Sequence, residues 1–135
     1  MISIYNLFFI FLIHFIADFM FQTRNMGRKK SKNIYWLISH IIVYTFITAI
    51  LWALFLGLFE QSLSTLLLFV LITFSTHFFT DYFTSKLSGL FYLRMLDKTN
   101  DVKKRNLYEW AFWSTIGFDQ LIHNLTLILT YIYLY

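Results

Sequence analysis

The stretch IYWLISHIIVYTFITAILWALFLGL, residues 34–58, runs for twenty-five positions without one charged side chain. A bilayer core about 30 Å thick needs roughly 20 mostly apolar residues per helix. This run exceeds that length, and three others frame it: Ser3 to Gln22, Ser62 to Phe83 and Trp110 to Tyr135. Lipid offers stray backbone groups no partner, so each run is expected to be a helix, and the absence of proline suits this. The expectation is an all-α membrane protein, one domain over 1–135, with four transmembrane helices in a bundle. The first run reads as a span and not as a signal peptide, because it lacks a basic start and a small-residue cleavage pattern.

Composition points the same way. Of 135 residues 59% are hydrophobic and 13% charged, with a mean hydropathy of +0.62. A soluble domain carries roughly 45–50% apolar and about 25% charged residues. The lack of cysteine removes disulfides, thiolate zinc sites and cysteine nucleophiles together. No serine nucleophile elbow, glycine-rich phosphate loop or HExxH pattern is present. Gly117, two residues before Asp119, reads as easing helix packing or a local bend.

All eleven basic residues lie between the runs. Arg24, Arg28, Lys29, Lys30 and Lys32 occupy the first connection; Lys86, Arg94, Lys98, Lys103, Lys104 and Arg105 occupy the third. The second connection, near Glu60 and Gln61, has none. The positive-inside rule therefore places the first and third connections in the cytoplasm and both termini outside, in the cell (inner) membrane. The net charge of +4 is accounted for by this topology, and no nucleic-acid partner is expected. Within the third connection, Leu90, Phe91, Leu93, Met95 and Leu96 beside Arg94 and Lys98 predict a short amphipathic segment on the cytoplasmic surface, between the third and fourth helices.

The residues His14-Phe15-Ile16-Ala17-Asp18-Phe19-Met20 overlay His77-Phe78-Phe79-Thr80-Asp81-Tyr82-Phe83 without a gap. Each copy ends its helix and is followed by a basic connection and a further helix with one histidine, His40 or His123. Two parallel helix-pair repeats are implied, about 1–60 and 61–135, related by an axis normal to the bilayer.

Every run thus holds one histidine, and three aspartates lie inside runs. His14 with Asp18, His77 with Asp81 and Asp119 with His123 are spaced i,i+4, which places each pair on one helix face. Counted from the basic connections at 1.5 Å per residue, His14, His40, His77 and Asp119 fall roughly 9–14 Å deep, in one layer. An aspartate at the centre of an inserted helix costs roughly 2.5–3.5 kcal/mol, so three of them unpaired would cost on the order of 8–10 kcal/mol. Hydrogen bonding alone could offset this. The alternative is one or two divalent cations, for which imidazole and carboxylate are natural ligands. The candidate ligands are His14, Asp18, His40, His77, Asp81, Asp119 and His123, with zinc or manganese favoured and iron compatible. Tyr44, one turn beyond His40, and Gln22 and Gln120 are candidates for supporting ligands or bonding substrate.

At these residues the chain resembles an uncharacterised family of short bacterial and phage integral membrane proteins, the domain of unknown function 3307. The likeness rests on HFIADFMFQT at 14–23, the lone His40, HFFTD at 77–81 and DQLIH at 119–123, and covers nearly the whole chain. A looser similarity, in helix count and intramembrane His and Asp, runs to predicted membrane-bound metal-dependent hydrolases. Fold likeness does not transfer chemistry.

Three functions follow as expectations. The first is a metal-dependent hydrolase of a lipid or other membrane-associated ester or phosphoester, with Asp18 or Asp119 as base and membrane lipids as its first partners. The second is a carrier or channel for a metal ion or proton. Against it, Phe8 to Leu12 and Leu125 to Leu129 offer an ion little besides Thr126, so the outer halves of the helices look dry. The third is a non-enzymatic phage-type membrane interaction protein whose polar stripe only binds helices together.

Overall fold

Ser3 starts the first helix by accepting the Asn6 amide proton on its side-chain oxygen at 3.1 Å, the bond that an N-cap serine supplies to an otherwise orphan donor. Helix α1 (Ile4–Phe15) then passes without a break into a π-helical turn, Ile16–Met20. Thr23 caps a short helix α2 (Arg24–Lys29), and Asn33 caps α3 (Ile34–Leu56). Gly57 ends α3 at φ 74°, a left-handed conformation that glycine adopts without a Cβ clash. Two long helices follow, α4 (Leu63–Leu96) and α5 (Val102–Leu134). The computed structural model describes residues 2–57, 61–96 and 101–134, and every element among them is helical.

α1 packs on α3 and α5, and α4 packs on the same two helices, so the four close a ring. One end of the ring, formed by early α1, late α3, early α4 and late α5, is filled by Ile10, Ile13, Trp52, Phe69 and Leu127. Trp52 and Phe69 meet there with ring centroids 4.7 Å apart, and Asn6 hydrogen-bonds the Tyr131 hydroxyl nearby. The opposite end, where α2 and the basic residues lie, is where the histidines and aspartates are buried.

The burial pattern inverts that of a water-soluble bundle. Four histidines, two aspartates and several threonines are inside, whereas Phe8, Phe11, Leu67, Leu71, Phe79 and Leu125 are exposed. Charged side chains are rarely buried in a soluble core unless paired. α3 and α4 are long and apolar enough to cross a membrane by length and composition, and Ile4–Met20 is a shorter apolar helix.

Three expectations need correction. No separate amphipathic helix follows the third run, because α4 continues unbroken to Leu96. Its 34 residues span about 51 Å at the helical rise. Nothing in 84–96 supplies a stop signal: Gly89 is tolerated inside the helix, and Tyr92 rests on Phe112 of α5 with centroids 5.8 Å apart. Lys98, part of the expected amphipathic segment, lies outside the described residues, as does Glu60 of the second connection. Gly117 eases no packing, since a Cβ there would have nothing within 4 Å. The outer halves of the helices also carry more polar groups than expected: Thr48 and Thr73 are buried on α3 and α4.

Candidate metal centre

The π-helical turn sets the site's geometry. The Phe21 amide donates to the Ile16 carbonyl at 3.2 Å, five residues back, so the chain advances fewer degrees per residue here than in an α-helix. Asp18 sits in this turn, and its Oδ1 lies 3.1 Å from His40 Nε2 on α3. His14 Nε2, the i,i+4 neighbour, is 3.9 Å from the other carboxylate oxygen. The second copy of the motif lies in regular α-helix, where His77 Nε2 is 3.7 Å from Asp81 Oδ2.

Side chains from α1, α3, α4 and α5 meet between these residues. His40 Nε2 lies 3.1 Å from His77 Nε2 and 3.3 Å from Asp81 Oδ2, and His123 Nε2 lies 3.3 Å from Asp81 Oδ1. Among the described residues, two groups of buried side chains could hold a metal ion: Asp18, His40 and His77, and His77, Asp81 and His123, with His77 common to both. The donor set fits a divalent cation. Around tetrahedral zinc with ligand bonds of about 2.0–2.1 Å, donors sit roughly 3.3 Å from each other. Within the first group the separations are 3.1, 3.1 and 3.9 Å. Asp18 Oδ1 is buried, with His40 Nε2 3.1 Å away as an ion-pair neighbour and no aligned hydrogen bond. A buried carboxylate oxygen left so is costly unless a cation completes it.

The remaining candidates surround this set. His14 is hydrogen-bonded at both ring nitrogens, to the Tyr44 hydroxyl at 3.0 Å and to Gln120 Oε1 at 2.9 Å, and belongs to neither group. Tyr44 also stacks on the His77 ring, with centroids 3.7 Å apart. Gln120 donates to Asp18 Oδ2 and to Asp119 Oδ2, both at 3.0 Å, and so joins three candidates in one network. Asp119 lies 3.4 Å from His123 Nε2 and accepts from Thr84 at 2.5 Å. Its side chain is 13% exposed, the most open of the three aspartates, and it lines a cavity of about 210 Å³. Gln22 bonds the Asp18 carbonyl at 2.7 Å and lines the same cavity.

Lys30 reads from the sequence as a topology charge. The structure folds α2 back so that Lys30 Nζ lies 2.7 Å from Asp81 Oδ2, with its side chain 15% exposed. Burial alone would lower the pKa of this ammonium. The Asp81 and Asp18 carboxylates outweigh that and hold it above the ordinary lysine value. Lys30 thus offsets part of the negative charge that Asp18 and Asp81 bring to the site as carboxylates. The sequence held no signal for this role, since Lys30 is one of a run of similar basic residues.

No curated protein and no solved structure matches the chain. Residues 6–135 match the family described as protein of unknown function (DUF3307), and the chain belongs to that family.

Proposed function

We propose that the protein is an integral membrane, divalent-metal-dependent hydrolase acting on a membrane-associated ester or phosphoester from the cytoplasmic side. The membrane reading is supported by α3 and α4, whose length and apolar character suffice for a span, and by the apolar outer surface of the ring. α1 with its π turn and α5 complete four spans in this reading. The gathering of the basic residues at the end that holds the site makes that end cytoplasmic.

The approach of Asp18, His40 and His77, three buried donors from three helices, carries the proposal. Zinc or manganese suits a set of imidazoles and carboxylates without thiolate, and iron is compatible. Such a cation supplies Lewis acidity to the scissile group and makes water a better nucleophile. The chain's own residues do the rest. Asp18 and Asp81, with His40, His77 and His123, would hold the cation. Asp119 faces the cavity with its oxygens oriented by Thr84 and Gln120, and takes the proton from the attacking water. Gln120 and Tyr44 hold His14 and, through it, the wall of the site.

Metal analysis of protein purified without chelator tests this, with roughly one or two ions per chain expected. His77→Ala should lose them, because His77 serves both groups. Asp119→Asn should keep the metal and lose about 10²–10⁴-fold of hydrolytic rate. Metal-free wild-type protein overturns the proposal.

The buried hydroxyls of Thr48 and Thr73 favour a second reading, a cation or proton carrier, since they lead from the site toward the other end. Trp52, Phe69, Ile10 and Ile13 close that end with side chains at most 1% exposed, which favours one-sided access. Uptake of radiolabelled zinc into proteoliposomes separates the two, and the hydrolase reading expects none.

A further inference from the structure

A second cavity, of about 560 Å³, adjoins the first and shares Gly27, Lys30, Ser85, Ser88 and Phe112 with it. Arg28, Lys30 and Lys32 line it, and no carboxylate among the described residues does. Hydroxyls face it too. Ser85 is 7% exposed and its Oγ is buried without a hydrogen-bond partner, at the place where the two cavities meet. Ser88 is half-buried one turn away on the same helix. Along the other wall, Tyr92, Leu93 and Phe112 make an apolar side. Gly89 lets the α2–α3 connection approach α4, since a Cβ there would lie 3.0 Å from that of Ser31.

Arg28 and Lys32, with Lys30 on the border shared with the first cavity, a buried hydroxyl without a partner and no acid among the described lining residues select a compact anion with several oxygens, and a phosphate group meets that description best. We propose that this vestibule binds the phosphate of a phosphorylated amphiphile, with the anion between Lys30, Arg28, Lys32 and Ser85 and the apolar part against Tyr92 and Phe112. Lys30 ties the two cavities together: its Nζ is 2.7 Å from Asp81 Oδ2, so a phosphate held by it sits beside the candidate metal ligands. The inference rests on the hydrolase reading and names its substrate class.

The test uses the full chain in detergent, with dihexanoyl phosphatidic acid, dihexanoyl glycerol and inorganic phosphate as separate probes and binding as the readout. Wild-type protein should bind the phosphorylated lipid and not its phosphate-free counterpart. Arg28→Gln with Lys32→Gln should bind it about tenfold more weakly, the loss expected from charged hydrogen bonds. Ser85→Ala should weaken it in the same direction. Inorganic phosphate bound as tightly as the lipid would support the phosphate site and assign it to a soluble source. Equal binding of the two lipids, or unchanged binding in both variants, overturns the proposal. Metal content measured on the same samples keeps the two readings apart: the Arg28/Lys32 variant should retain its metal, and phosphate binding by a metal-free wild type would sink the hydrolase reading alone.

Discussion

Gln120 shows how much one neutral side chain can organise. Its amide nitrogen reaches Asp18 and Asp119, and its oxygen meets His14, so one residue of α5 sets the orientation of two carboxylates and one imidazole. Residues of this kind fix ligand direction and tune affinity without touching the ion. Gln120→Leu keeps most of the volume and removes all three bonds. It should weaken metal affinity by about 10–100-fold while the protein still folds, read by competition with a chromogenic chelator. Lys30 acts by charge instead, its ammonium 2.7 Å from Asp81 Oδ2 at the border of the buried site. The sequence could show that His14, His40, His77 and His123 belong to one depth. It could not show that His14 spends both ring nitrogens on Tyr44 and Gln120, because that depends on which side chains of other helices come within reach.

At the scale of elements, two local features set the surroundings of the first His-Phe-x-x-Asp motif apart from those of the second. The π turn at Ile16–Met20 turns Asp18 toward His40 and His77, whereas Asp81 stays on regular helix beside His77. α2 is the other feature. A six-residue helix has little stability of its own, and here it is held by the Thr23 cap and by burial of Met26. Its course returns Lys30 to the bundle, which an extended connection would not do. Thr23→Ala should cost about 0.5–2 kcal/mol at this cap, seen as faster amide exchange over 24–29. Metal content should hardly change, because no ligand lies in α2. α4 makes the complementary point: with neither proline nor a left-handed glycine after Phe83, nothing ends the helix at the expected membrane edge.

The whole molecule places polar groups inside and apolar rings outside, with one end closed by Trp52 and Phe69 and the other lined by basic residues. In the proposed orientation, a cysteine introduced at Lys32 or Lys103 should react with a membrane-impermeant maleimide only from the cytoplasmic face. One at Gln61 should react only from the outside, and the reverse pattern would refute the assignment. The four apolar runs, the extent of the first run and of α3 to within a few residues, and the burial of the four histidines with Asp18 and Asp81 were legible in the sequence, because apolar run length and the cost of burying charge are properties of the chain itself; α2 and the extension of α4 and α5 beyond their apolar runs were not. The convergence of Asp18, Asp81, His40, His77 and His123, the engagement of both His14 ring nitrogens by Tyr44 and Gln120 and the entry of Lys30 were decided by tertiary structure. Each depends on the rotation of one helix against another, and residue spacing fixes a face within its own helix only.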